Sequence, residues 1–251
     1  MANTAIVGIN MPPQPPLRTI TLNASRMGTP TENHKVAYLW DDLISKKMLL
    51  QFVFRDGVTA TNTVVASAVD GQRLVVMLDK APPEMATMLS IALNQDSTFA
   101  LNLTDGSAGA ESTTPAEVMA TVRVDGTPAA RDVVAIERTS GGTWRVAGRL
   151  RTEDGVIDLR VTDGDVYVVA VDDYGYIYQP NLTVAVGDTI RPSIYAGWLY
   201  RITEAGALPA TEPEWWPIDG DNAPRQLGTA RAVAVRYYRP LAHGPVPVEM
   251  I

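Results

Sequence analysis

One aromatic-rich stretch of this chain includes Tyr178, Trp198, Tyr200, Trp215 and Trp216. Sugar rings stack their apolar C–H faces on aromatic rings, and a shallow platform needs two or three rings in line, so these five are the candidate glycan contacts. Two carboxylate pairs stand beside them, Asp172-Asp173 and Glu212 with Glu214. Paired carboxylates are the machinery of glycoside hydrolysis. Yet Asp172-Asp173 precedes Tyr174-Gly175 at a strand end, where carboxylates close turns. Glu212-Pro213-Glu214 reads as a solvated edge. Asp219-Gly220-Asp221-Asn222 carries the hard oxygen donors that calcium takes, but it is shorter than a full EF-hand loop and reads as a plain turn.

The rest of the chemical inventory is sparse. There is no cysteine, which removes disulfides, thiolate zinc sites and thiol catalysis together. The two histidines, His34 and His243, lie near opposite ends. Neither accompanies a Gly-x-Ser-x-Gly elbow, and no His-Glu-x-x-His, P-loop or Gly-x-Gly-x-x-Gly pattern occurs. The expectation is a protein that is not an enzyme, with no catalytic residue, no metal and no cofactor.

Positioning falls to strands. Val36–Trp40, Leu49–Phe54, Thr63–Val69, Arg73–Leu78 and Thr98–Leu103 are strand-length apolar runs divided by Asp56-Gly57, Asp70-Gly71 and Asp105-Gly106. One helix is expected among them: Pro82-Pro83-Glu84 opens it, and Met85, Met88, Leu89 and Ala92 fall at i, i+3, i+4, i+7. A second series follows at near ten-residue spacing: Val118–Val124, Val133–Ile136, Trp144–Gly148, Val156–Val161 and Val166–Val171. Alternation in Ile157-Asp-Leu-Arg-Val161 marks a half-buried strand of a small antiparallel sandwich. The Tyr178–Trp216 stretch holds three of the chain's five tryptophans amid turn glycines and prolines, the composition of a very small β-unit with an aromatic core. Ala230–Tyr238 alternates as one more strand. No residue period repeats, so the units differ from one another.

These signals divide the chain into an extended Pro-rich arm at 1–30, a β-rich domain at 31–104, a small-residue linker at 105–116, a sandwich at 117–176, an aromatic unit at 177–222, and a strand with a Pro-rich arm at 223–251. The fold class is all-β, with small domains in tandem and extended terminal arms. Net charge is −7 and the pI about 4.9, which argues against sequence-independent binding of nucleic acid. Lys46-Lys47 is the one basic cluster, and it reads as solvated surface. No signal peptide opens the sequence, and no run approaches the ~20 apolar residues of a membrane span. The protein is therefore expected in a reducing cytoplasm without membrane insertion.

Two stretches carry a resemblance. Val118 to Asp173 resembles the prealbumin-like, carboxypeptidase-regulatory type of sandwich, through Val124-Asp-Gly-Thr-Pro128, Val133–Ile136, Thr152-Glu-Asp-Gly155 with Leu159, and Gly164-Asp-Val-Tyr167. Tyr178 to Trp216 is similar to the small chitin-binding-type carbohydrate module, through Gly187-Asp188, Ile190, Gly197-Trp-Leu-Tyr200 and Trp215-Trp216. Tyr178 stands there for the opening Trp and Val184 for the following Tyr, and the loop from Ile190 to Gly197 is longer. The two units together with the Pro-rich arm resemble structural proteins of tailed-bacteriophage virions, especially tail and baseplate components. Residues 34–104 resemble no family. The resemblance implies a non-enzymatic virion protein, assembled in the host cytoplasm, whose partners are other virion proteins and copies of itself. A glycan-binding adsorption module that meets host-surface polysaccharide, and a capsid-decoration protein, are the alternatives.

Overall fold

The computed structural model describes residues 14–54, 57–104, 114–172, 174–194 and 196–251. It is nearly all β. The first unit contains β1 (Leu17–Arg26), β2 (Thr29–Pro30), β3 (Lys35–Trp40), β4 (Met48–Val53), β5 (Thr59–Val65), a one-turn helix α1 (Ala66–Val69), β6 (Gly71–Asp79), β7 (Met85–Leu93) and β8 (Ser97–Leu103). β1 pairs antiparallel with β5 and parallel with β8, while the other sheet runs β4-β3-β6-β7. Alternation sets the inner face of β1: Ile20, Leu22 and Ala24 are buried, and the outward Thr19 and Thr21 meet Thr63 and Thr61 at 3.2 and 3.0 Å. Residues 17–30 are thus extended, but as strands of this sandwich rather than an arm leaving it. Residues 1–13 lie outside the described residues.

The expected helix at 82–92 is strand β7, paired with β6 from Gly71↔Leu93 to Asp79↔Met85. Its helical spacing of apolar residues has a different cause, burial on both faces. Met85, Leu89, Ile91 and Leu93 turn to one core, Ala86 and Met88 to another. A short apolar run buried on two sides cannot be told from a helix by period.

The second unit contains β9 (Pro115–Thr121), a hairpin of β10 (Arg123–Val124) and β11 (Thr127–Pro128), β12 (Arg131–Arg138), β13 (Trp144–Thr152), β14 (Val156–Thr162) and β15 (Asp165–Val171). β9 and β14 pair in one sheet, β13-β12-β15 in the other. Residues 105–113 of the expected linker lie outside the described residues, and Pro115 and Ala116 already belong to β9.

The two sandwiches share a core. Ala37, Leu39, Val75 and Met77 face the interior of the first, whereas Val36, Tyr38, Trp40, Leu74, Val76 and Leu78 face the second sandwich. Val134, Ile136, Tyr167, Val169 and Val171 meet them there, and Val133, Ala135, Val166 and Val168 face inward. Four sheets therefore stack on three apolar layers. The middle sheets are covered on both sides, which is why β3, β6, β12 and β15 read as unbroken apolar runs while β1 and β14 alternate. Each fully buried aliphatic side chain at this joint, Val36 and Val76 among them, contributes roughly 1.5–3 kcal/mol. Lys80–Asp132 and Arg149–Glu84, both at 3.0 Å, tie the two units at its margin.

The third unit contains β16 (Tyr176–Ile177), β17 (Thr183–Val184), β18 (Thr189–Arg191), β19 (Trp198–Glu204), β20 (Gly206–Ala207), β21 (Arg225–Leu227) and β22 (Ala230–Arg236), in sheets β16-β18-β19-β22-β21 and β17-β20. The Ala230–Arg236 strand, expected outside the aromatic unit, pairs with β19 inside it. Gly228 makes the β21–β22 turn at φ +71°, where a Cβ would lie 2.2 Å from the Ala207 carbonyl oxygen. The chain then returns: β23 (Leu241–Val246) pairs with β15, and β24 (Glu249–Met250) with β9. The expected C-terminal arm is thus one strand in each sheet of the second sandwich. The aromatic unit is an insertion between β15 and β23, and Tyr174, Leu199 and Tyr237 anchor it to the joint.

Candidate functional site

The five aromatic candidates do come together. Tyr200 lies 4.5 Å from Trp215 and 4.7 Å from Trp216 between ring centroids, and Tyr178 lies 6.0 Å from Trp215. Trp198 packs on the same cluster. The arrangement is a small core, however. Tyr200 is fully buried and Tyr178 nearly so, and their hydroxyls donate to the carbonyls of Trp216 at 2.6 Å and Pro209 at 2.7 Å. Burial pushes the Tyr200 phenol up to about 12. A buried ring cannot offer its face to a sugar, so Tyr178 and Tyr200 are withdrawn as glycan contacts. Val184, in the position of an aromatic residue, is buried among them. The half-buried Trp215 and Trp216 spend much of their surface on Tyr200 and on each other. Val184, Ile190, Ile202, Leu208 and Leu227 fill the interior together with the rings, which add apolar area to a small core.

Among the carboxylate candidates, Glu212, Asp172 and Asp219 are engaged in structural contacts. Glu212 accepts hydrogen bonds from the Ser193 N–H and the Trp215 indole, each at 2.8 Å, and thereby pins the tryptophan. Asp172 pairs with Arg131 at 3.4 Å, and Asp173 lies outside the described residues. Asp219 takes Arg225 at 2.5 Å, and the N–H of Asn222 donates to the Asp219 carbonyl at 2.8 Å, closing a turn. His34 stacks between Tyr174 and Tyr176, 4.5 and 4.3 Å away, while His243 sits on β23.

Among the described residues, several concavities were not signalled by any motif. One, of about 470 Å³, lies where the three units meet and is lined by His34, Lys80, Arg151, Tyr176 and Asp188. Asp132, almost fully buried, pairs with Lys80 at 3.0 Å and with Arg151 at 3.2 Å, so the basic groups here secure the junction.

Another, of about 530 Å³, opens between the sheets of the second sandwich. Ala120, Val122 and Val124 form one wall, Val168, Ala170 and Leu241 the other, and Arg123, Arg131, Asp172, Arg239 and His243 also line it. The Tyr238 hydroxyl donates to Asp125 at 3.0 Å across one end. The groove exists because β24 covers only Ala116 and Glu117 of its neighbour β9. Ordinary period-2 alternation places these groove residues inward. The early stop of β24, which leaves them uncovered, has no sequence signature.

No protein-family model matches the chain, and no curated protein is detectably related to it in sequence. Solved structures with some likeness include a DUF3823 protein from Parabacteroides merdae (11% identity, TM-score 0.26, covering 62% of this chain and 92% of that one). Another is the Bacillus anthracis TIE protein (10%, 0.24, 78% and 31%). A third is a variant of the shaft pilin SpaA from Lactobacillus rhamnosus GG (7%, 0.26, 69% and 92%). Likenesses at this level match strands to strands and carry nothing about what the protein does.

Proposed function

We propose that this protein is a non-enzymatic structural subunit, used in several copies in a tail or baseplate of the tailed-phage virion type. The observation that carries the reading is the shared core between the two sandwiches. Beads on a flexible linker would keep a polar face on each domain. Here Tyr38 and Trp40 on one side and Ile136 and Val169 on the other make the pair of sandwiches one stiff body. Stiffness of that kind suits a part that transmits load and fixes the spacing of its neighbours. The aromatic unit, held at the joint by Leu199 and Tyr237, adds a lateral knob to that body. Its rings are spent on its own core, which weighs against the adsorption alternative.

Sedimentation velocity and electron microscopy of the purified full chain across a concentration series test this reading. Ordered rings, tubes or finite oligomers are the expected result. A strictly monomeric chain up to high concentration would overturn it.

A further inference from the structure

The groove in the second sandwich has the shape of a missing strand. On β9 the backbone groups alternate in direction. Val122 donates to the Gly155 carbonyl at 2.7 Å on the β14 side, and the Ile251 N–H reaches the Pro115 carbonyl at 3.3 Å on the β24 side. Odd-numbered residues of β9 therefore point toward β24. That strand pairs with Glu117 and stops, so Met119 and Thr121 present N–H and C=O groups with no ladder partner among the described residues. Beside this open edge lies the apolar groove, with the outer edge of β23 on its far side. An exposed sheet edge next to apolar pockets is the geometry of strand addition: main-chain bonds hold the guest, and alternate side chains fill the cavity.

We infer that the groove takes an extended segment of a neighbouring copy of this chain, residues Thr4–Met11, as an added strand along Met119–Thr121. The inference rests on the structural-subunit reading above and names its contact. Three observations select this guest. The sequence Thr-Ala-Ile-Val-Gly-Ile-Asn-Met alternates, placing Ala5, Val7, Ile9 and Met11 on one face. Residues 1–13 contain no Asp, Glu, Lys, Arg or His, so the segment buries no charged side chain in an apolar cavity. Reach then keeps Ile9 and Met11, half of that face, out of the segment's own groove. The described chain starts at Gln14, in the outermost sheet of the first sandwich. Two sheet spacings of ~10 Å each and half of a third put the groove ~25 Å away. Ile9 lies five residues from Gln14 and spans at most ~18 Å even when fully extended. The same segment can enter the groove of an adjacent copy. That contact joins unlike surfaces, head to tail, so it closes into a ring or propagates as a filament according to the rotation between copies.

The test is complementation between two full-length variants, followed by sedimentation velocity. Thr121→Pro removes an N–H that the β14 ladder does not use and blocks the groove edge, leaving the segment intact. Val7→Asp with Ile9→Asp spoils the segment and leaves the groove intact. Each variant alone is expected to associate at least tenfold more weakly than the parent. Their equimolar mixture should form a 1:1 dimer that does not grow. Circular dichroism melts establish that each is folded. If Thr121→Pro is not, Ala120→Glu, which places a charge in the groove, takes its place. Assembly by either folded variant at parental strength, or a mixture that remains monomeric, would overturn the groove contact while leaving a self-assembling subunit. A parent chain that never associates would overturn both readings.

Discussion

Val169 on β15 and Ala242 on β23 are register partners, although the whole aromatic unit lies between them in sequence. The chain departs at Val171 and returns beside the strand it left, so the insertion begins and ends at one place. Asp172 and Tyr238 form the neck: Arg131 pairs with the carboxylate at 3.4 Å and stacks over the Tyr238 ring at 5.9 Å. The second sandwich is therefore completed only after residue 241.

A fragment starting at Thr114 tests the joint. It keeps both sheets of the second sandwich and the whole insertion, but uncovers Val134, Ile136, Val169 and Val171. A contiguous apolar face of that kind associates in water. The fragment should sediment as a concentration-dependent oligomer and bind a hydrophobic dye. A folded, monomeric, dye-silent fragment would show that the joint is dispensable.

Glu137 is fully buried, holding Arg145 at 2.9 Å and accepting the Gly164 N–H at 2.9 Å as well as the Thr162 hydroxyl. Glu137→Ala removes the acceptor for all three. Arg145 is partly exposed and can be solvated, so the loss is that of the hydrogen bonds to a buried acceptor, about 1–3 kcal/mol. The urea midpoint should fall accordingly, and a loss below ~1 kcal/mol would contradict this account.

Trp216→Ala should act as a loss of core. The ring packs edge-on against Tyr200 and lies under Arg225, whose guanidinium is 5.7 Å from its centroid. Full truncation of a core aromatic costs ~3–5 kcal/mol, and a half-buried ring should cost about 2–3. Titration of the parent chain with cell-wall polysaccharide should leave tryptophan fluorescence unchanged. A saturable shift that disappears with Trp216→Ala would restore the glycan reading.

Lys35 is buried, and its ammonium donates to the carbonyls of Thr31 and Asn33 at 2.7 and 2.5 Å. Burial pulls its pKa from 10.5 down to about 8, against Asp79 and Glu32, which pull upward. Between those two values the unfolded chain still holds a proton that the folded chain has released, so stability rises with pH across that window. Below about pH 8 both states are charged and the folded state bears the whole penalty. Lys35→Met should flatten this part of the stability curve by ~3 kcal/mol relative to the parent. Tyr200 works in the opposite sense above pH 10, because it stays protonated when folded, but both proteins carry it and the difference cancels. Parallel curves for the two proteins would refute the assignment.

The sequence by itself determined the strands and their kind. Asp-Gly and Gly-x-Pro punctuation and apolar runs of strand length mark β3 to β6, β8, β9, β12 to β15 and β22, and the aromatic cluster was legible because rings add apolar area to a small core. Whether a strand is covered on one face or on both is also written there, in the contrast between the unbroken Val36–Trp40 and Val166–Val171 and the alternating Ile157–Val161. Tertiary structure alone decided how these pieces combine. Met85–Leu93 became a strand because two cores claim its two faces, and helical spacing serves a two-sided strand equally well. Tyr178 and Tyr200 became interior rings because Trp215 and Trp216 fold back onto them and Ala230, Ala232 and Ala234, from beyond the expected unit, join the same core. Prolines 240, 245 and 247 suggested an arm because proline removes a ladder donor. β15 and β9 nevertheless had room beside them, and pairing across that distance is a property of the folded chain that no local window of residues can express.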